Sequence, residues 1–163
     1  MLKRIAAAFS YIFHPLFLLT YLLLLVQWVN PYLFGHTSFQ GHSLLLIQIF
    51  FSTALLPGVA ILLMKALGIL ESFKMEDKQE RIGPYIVTGM FYLWIFINVQ
   101  DNGEIPESYR SFVLAATVGL FLAFLINLIQ KVNIHAVSAG VFLSSVIIML
   151  ATYSYSLVDL TTL

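Results

Sequence analysis

Residues Phe112–Ile129 read FVLAATVGLFLAFLINLI, a predominantly apolar run that contains no charged side chain. The hydrocarbon core of a bilayer is about 30 Å thick, so a helix needs roughly 20 apolar residues to cross it. Further runs of this kind lie near residues 9–29, 44–64, 82–99 and 136–158. The sequence therefore predicts an all-α fold, a polytopic transmembrane helical bundle of about five spans.

The composition of the whole chain agrees with a membrane protein. Of its 163 residues, 60% are hydrophobic and only 10% are charged, and the mean hydropathy is +0.93. Soluble domains carry about 25% charged residues, and a water-soluble globule of this length could not hide so much apolar surface. The connections between the apolar runs are short, so we expect residues 1–163 to form a single integral membrane domain.

Charge and cysteine content exclude several classes of function. Eight Lys and Arg residues balance eight Asp and Glu residues, so the chain lacks the basic excess that neutralises nucleic-acid phosphates. The chain contains no cysteine, which excludes disulfides, thiolate nucleophiles and cysteine-ligated metals. We therefore expect no nucleic-acid partner, no metal and no cofactor.

Basic residues are distributed asymmetrically between the predicted loops. The positive-inside rule places the loops rich in Lys and Arg in the cytoplasm. With a cytoplasmic N-terminus only Arg110 lies outside, beside acidic residues, and the inner set is Lys3, Arg4, Lys65, Lys74, Lys78, Arg81 and Lys131. The pattern predicts a multi-pass protein of the cytoplasmic membrane with its N-terminus inside.

The segment between Glu71 and Pro84 holds about half of all the charges. If it is helical, Lys74, Lys78 and Arg81 fall at positions i, i+4 and i+7 and share an arc of roughly 60°. Three cations on one face at the membrane surface would bind a phosphate through charge-assisted hydrogen bonds. The alternative is a solvated loop whose charges pair along the chain and fix the topology.

His135 begins the fifth predicted span and is a candidate proton donor. A histidine protonates a leaving oxygen near neutral pH, and ionisable residues at membrane depth often have a function. The alternative is an interfacial histidine bonded to a neighbouring carbonyl. His14, which precedes Pro15 in the first span, is interpreted as satisfying the backbone carbonyl that the proline frees. We leave open that it faces His135.

Three segments occur together and in this order: His14-Pro15 with Thr20-Tyr21, Met75–Tyr85, and Lys131–His135 with Gly140. In these segments the chain resembles small membrane proteins of Bacteroidetes-type bacteria assigned to the type 2 phosphatidic acid phosphatase superfamily. The resemblance implies a bacterial inner membrane protein that removes phosphate from lipid phosphates or pyrophosphates through a phosphohistidine, without metal. It also implies that membrane lipids are its partners.

The residues that match the family's motifs receive roles from that resemblance. Lys74 and Arg81 have the spacing of the first motif, with Lys78 as a further candidate, and these residues would bind phosphate. His135 matches the acid of the second motif. The third motif supplies the nucleophilic histidine, and no histidine or arginine follows His135. We therefore expect phosphate binding, and hydrolysis only if further C-terminal helices exist.

Two other functions remain open. The chain could be a non-enzymatic transmembrane subunit of a larger inner-membrane complex, whose small-residue faces at Ala115–Gly119 and Ala136–Gly140 meet partner helices. It could also be a prenyl-transfer enzyme of the aromatic prenyltransferase kind, in which Glu76, Asp77 and Glu80 bind magnesium and a diphosphate. Such enzymes have a second acidic motif, and the segment Gln130–Asn133 contains none.

Overall fold

The computed structural model describes residues 14–29, 31–34, 43–73, 75 and 77–160, with side chains up to residue 151 in the last helix. Over these residues the regular structure is helical throughout. Five helices follow one another along the chain, and their bounds are α1 Pro15–Val29, α2 Ser43–Ala66, α3 Ile82–Gln100, α4 Glu107–Ile129 and α5 Ile134–Leu160. A short 3₁₀ turn, Pro31–Phe34, follows α1.

Four of the helices, α2 to α5, are long and apolar enough to cross a membrane, and α1 is a shorter apolar helix. This confirms the predicted all-α bundle of about five spans. Residues 9–13 of the first predicted span lie outside the described residues. The C-terminal ends of α2 and α4 lie at the same end of the bundle as the N-terminal ends of α3 and α5.

The helix α4 begins at Glu107, ahead of the predicted Phe112. Pro106 is extended, with φ −56° and ψ 140°, and its carbonyl accepts the backbone N–H of Arg110 at 3.1 Å. Glu107 in the first turn also interacts favourably with the positive end of the helix dipole. The extra turn brings Tyr109 into the core, where none of its surface is exposed.

Helix α2 contains one turn of π-helix, Phe51–Leu55. Pro57 has no backbone N–H to donate to the carbonyl four residues earlier, and widened turns accommodate such gaps in the helical hydrogen bonds. The hydroxyl of Thr53, which is fully buried, donates to the carbonyl of Ile49 at 2.8 Å.

The core lies between α1, α3 and α4. Leu19 and Leu23 of α1 and Ile95 of α3 are completely buried there. Helices α3 and α4 pack closely, because a Cβ added at Gly89 would lie 3.1 Å from the ring of Phe121. A Cβ at this position therefore fits only if the ring of Phe121 moves by a few tenths of an ångström.

Two tyrosine hydroxyls attach α1 to this core. Tyr92 of α3 donates to the carbonyl of Pro15 at 3.2 Å, and Tyr109 of α4 donates to the carbonyl of Leu19 at 3.1 Å. Both side chains are buried. Tyr92 is therefore a packing residue with a structural hydrogen bond and holds the first turn of α1 against α3.

The charged segment between α2 and α3 consists of bends and turns, so the helix considered for Lys74 to Arg81 does not form. Gly68, with φ 74°, ends α2: Ile69 N–H bonds to the Met64 carbonyl at 2.9 Å and Gly68 N–H to that of Lys65 at 3.1 Å. These are the two bonds of a Schellman motif. Met75, with φ 45°, is also incompatible with a continuous helix.

Candidate functional site

A cavity of about 590 Å³ lies at the end of the bundle where α3 and α5 begin. Its lining combines basic and imidazole side chains with apolar and aromatic ones. The polar and charged members are His14, Arg81, Tyr85, Thr88, Tyr92, Lys131, Asn133, His135 and Ser138. The described part of the lining includes no carboxylate.

The cavity extends from the end of the bundle toward its centre. Arg81 precedes α3 directly, whereas Tyr92 follows the start of that helix by ten residues and also lines the cavity. At 1.5 Å per residue, this corresponds to a depth of about 15 Å. Leu120 and Ile61 line the cavity as well. The site therefore has a polar end near the loops and an apolar part among the helices.

Arg81 connects two segments at the polar end of the cavity. Its Nε donates to the carbonyl of Met75 at 2.9 Å, and Nη1 donates to that of Val132 at 2.6 Å. Two of the five guanidinium N–H groups thus have carbonyl partners among the described residues. Arg81 therefore holds the loop before α3 against the turn before α5, so replacing it would disturb the structure as well as any bound anion.

Of the other two predicted phosphate ligands, the structure describes only Lys78, which contacts the end of α4 and does not line the cavity. Lys78 Nζ donates to the carbonyls of Leu128 at 3.2 Å and Ile129 at 3.3 Å, and Lys78 is not among the lining residues. A cation at this position satisfies the last carbonyls of α4 and the negative end of its dipole. Lys74 lies outside the described residues.

Lys131 lines the cavity, although the sequence suggested for it only a role in topology. It follows α4 by two residues, in the turn that leads to α5. Its position beside the cavity depends on the packing of α3 against α4, which the local sequence does not reveal. The sequence did indicate that it lies on the same side of the membrane as Arg81.

His135 lies in the first turn of α5 and lines the cavity. Asn133 is the N-cap of this helix, because its side-chain oxygen accepts the backbone N–H groups of His135 at 3.1 Å and Ala136 at 3.4 Å. Such a cap stabilises the start of a helix. The hydroxyl of Ser138 donates to the carbonyl of His135 at 3.0 Å. Local hydrogen bonds therefore fix the backbone that carries the imidazole.

His14 faces His135 across the cavity, which is the arrangement that the sequence left open. The two ring centroids are 5.6 Å apart and the ring planes are perpendicular. His14 caps α1, and its Nδ1 accepts the backbone N–H of Leu16 at 3.4 Å, so this nitrogen pairs with a backbone N–H and not with the predicted carbonyl. Burial, and secondarily a positive charge on His135, lower the pKa of His14 below its usual value of 6.5.

Tyr85 is a further buried side chain on the cavity wall. It is 7% exposed, and its hydroxyl has no hydrogen-bond partner within the described structure. The ring packs against that of Phe124, with centroids 6.0 Å apart. A buried hydroxyl without a partner costs about 1–3 kcal/mol. Nothing in the local sequence distinguishes this tyrosine from Tyr92, because only the tertiary packing gives Tyr92 its carbonyl partner.

The predicted magnesium ligands are not assembled in the part of the chain that the structure describes. Glu80 Oε1 accepts the backbone N–H of Glu71 at 3.0 Å, and Asp77 Oδ1 that of Gln79 at 3.3 Å. Glu76 lies outside the described residues. No group of three His, Cys, Asp or Glu side chains suited to a metal ion occurs among the described residues.

Comparison with known proteins adds no relationship to these observations. No protein-family model matches the chain, and neither a curated protein nor a solved structure does so. The function is therefore inferred from the cavity and from the sequence.

Proposed function

We propose that this protein binds the phosphate or pyrophosphate group of a membrane lipid in the cavity, at the cytoplasmic face of the membrane. The observation that carries the proposal is the lining of the cavity. Arg81, Lys131 and two imidazoles gather at one end, with no carboxylate among the described lining residues, while apolar side chains continue toward the centre of the bundle.

The charge of the cavity favours an anion. Two cationic side chains on its wall, Arg81 and Lys131, attract a negatively charged group. Three helices, α1, α3 and α5, also begin at the cavity, at residues Pro15, Ile82 and Ile134. Helix N-termini carry partial positive charge, so they add to the attraction for phosphate.

The apolar part of the cavity supports a lipid rather than a soluble phosphate ester. A depth of about 15 Å is half of the hydrocarbon core of a bilayer. A phosphate held near Arg81 would leave Leu120 and Ile61 beside the first carbons of an acyl or prenyl chain. A zwitterionic headgroup would bring a second cation toward Arg81 and Lys131, so we expect it to bind more weakly.

The test compares lipid binding by the full chain in detergent, using native mass spectrometry with phosphatidic acid and phosphatidylcholine. We expect phosphatidic acid to be retained at least tenfold better. Lys131→Gln should reduce this preference several-fold, because it removes one cation from the cavity wall. Lys65→Gln is the matched control, since Lys65 lies on the same side of the bundle and donates to the carbonyl of Glu71. Equal retention of both lipids by the native chain would refute the proposal.

His135 would act as the general acid if the bound lipid is hydrolysed. Because the sequence matches no nucleophile motif, we expect binding without turnover, as loss of the nucleophile from a covalent mechanism removes most of the rate. Release of inorganic phosphate from phosphatidic acid measures this directly. Phosphate release that disappears in His135→Asn would show instead that the chain is a phosphohydrolase.

A second function, as a subunit of a membrane complex, is favoured by the exposure of α5. In an apolar stretch of 18 residues from each helix, 11% is buried within the described bundle for α5, against 28% for α2 and 39% for α3. A fixed protein partner that co-purifies in mild detergent, together with no preference for phosphatidic acid, would support this function instead.

A further inference from the structure

We infer that His14 is a second imidazole ligand of the bound phosphate, and that His14 takes up a proton when the anion binds. This inference rests on the proposed function and adds to it a residue and a pH dependence. The cap of α1 thus has a role in binding as well as in folding. Phosphate-ester binding is the shared chemistry, whether the ester is a lipid or a soluble molecule.

The geometry of His14 leaves one nitrogen for the ligand. Nδ1 accepts the N–H of Leu16, so the proton of the neutral ring is on Nε2. The ring lines the cavity and meets that of His135 edge to face, with 5.6 Å between centroids. Nε2 is therefore available as an N–H donor, which is what a phosphate oxygen requires.

The surroundings of the pair determine the sign of the proton linkage. Arg81 precedes α3, and Lys131 lies between α4 and α5. Helix α3 contributes two titratable side chains to the cavity wall, Tyr85 and Tyr92. Among the described lining residues, α2 and α4 contribute no titratable side chain. Among the described residues, the charged side chains on the cavity wall are thus cations. In the empty cavity, one protonated imidazole and these cations oppose protonation of the other.

A phosphate bound beside these groups changes the direction in which the pKa of His14 is shifted. Burial and the charge of His135 lower the pKa of His14 in the absence of ligand. An anion in contact with Nε2–H favours the imidazolium form, in which Nδ1 takes up the proton and gives up its long 3.4 Å contact with the N–H of Leu16. The complex therefore binds more protons than the empty protein. By linkage, the contribution of His14 to the affinity increases as the pH falls below the pKa that this residue has in the complex.

The experiment compares the native chain with His14→Asn. Asparagine is a strong N-cap residue, so it can accept the N–H of Leu16 and retain the start of α1, but it cannot take up a proton. Calorimetric titrations with short-chain phosphatidic acid at pH 6, 7 and 8, in buffers of different ionisation enthalpy, report both affinity and the number of protons taken up. Glycerol 3-phosphate serves as the soluble probe.

We expect the native chain to take up more protons than His14→Asn near pH 7. The native affinity should exceed that of the variant by about tenfold at pH 6, and the two should approach each other at pH 8. Titration of the ligand's own phosphate is common to both proteins and cancels in the comparison. The expected difference with either probe supports the inference.

Two failures can be distinguished. If the native chain binds phosphatidic acid but has the same proton uptake and pH slope as His14→Asn, His14 is only a helix cap and this inference is wrong. If the native chain binds phosphatidic acid no better than phosphatidylcholine at any of the three pH values, the proposed function itself fails, and this inference fails with it.

Discussion

The hydroxyl groups of Tyr85 and Tyr92 differ only in their partners. Both residues are on α3, and both line the cavity. Tyr92 bonds to Pro15, whereas the hydroxyl of Tyr85 is buried without a partner in the described structure. We expect Tyr92→Phe to lower the free energy of unfolding by about 1 kcal/mol, the net value of one hydrogen bond, and Tyr85→Phe to leave it unchanged or raise it.

Thermal unfolding of the two variants in detergent, without added lipid, measures this difference. The two substitutions remove the same atom from the same helix, so each is the control for the other. An equal loss of stability would mean that the hydroxyl of Tyr85 has a partner in solution. A loss of phosphatidic acid binding by Tyr85→Phe alone would identify that partner as the ligand.

The residues that reach the cavity could be predicted only in part. Histidine chemistry and a shared side of the membrane indicated His135 and Arg81, and the structure places both on the cavity wall. Helical spacing also grouped Lys78 with Arg81, but the segment folds as turns and directs Lys78 to the end of α4. The position of Lys131 depends on contacts between distant helices, which residue type and local spacing do not encode.

The amino group of Lys78 contacts the C-terminal end of α4, and this contact joins two segments that are distant in sequence. Its Nζ donates to the carbonyls of Leu128 and Ile129, and Asn127 Nδ2 donates to the Lys78 carbonyl at 3.0 Å. We expect Lys78→Gln to destabilise the protein by about 0.5 kcal/mol, the usual value of a cation at a helix C-terminus. Phosphatidic acid binding should remain unchanged.

Parallel measurements of the melting temperature and of lipid retention check this assignment. Lys131→Gln provides the comparison, since it should weaken binding with little effect on stability. If Lys78→Gln has the melting temperature of the native chain but no longer retains phosphatidic acid, then Lys78 is a phosphate ligand, as the sequence predicted. The test therefore distinguishes a structural cation from a ligand cation on neighbouring segments.

The end of α2 and the start of α5 lie close to the predicted span ends, two residues after residue 64 and two residues before residue 136. Gly68 ends α2 and Asn133 begins α5 through ordinary capping chemistry. The π-turn in α2 was not predicted, although Pro57 marks its vicinity. A proline can be accommodated by a kink or by a widened turn, and the choice depends on packing against neighbouring helices.

The helical structure of the apolar segments and their number were the most predictable properties, because the bilayer imposes them. Every backbone polar group in hydrocarbon must be satisfied internally, so apolar runs of sufficient length have few alternatives to helices. The bundle of about five spans follows from hydropathy alone. The cavity does not, because it depends on how closely individual helix pairs approach, as at Gly89 and Phe121.

The orientation of the bundle determines which leaflet supplies the ligand. Lys65, Lys78, Arg81 and Lys131 occupy the end that contains the cavity, and Arg110 the other. The positive-inside rule predicts that the cavity lies at the cytoplasmic leaflet. Because the chain has no cysteine, single cysteines at exposed positions report the topology without background.

We expect Gln79→Cys to react with a membrane-impermeant maleimide only after cells are permeabilised, and Glu104→Cys to react in spheroplasts. Gln79 and Glu104 are both exposed and lie in loops at opposite ends of the bundle, so each is the control for the other. The reverse labelling pattern would place the cavity at the outer leaflet. The cations would then meet lipid phosphates of the outer leaflet, and the positive-inside argument would be wrong for this chain.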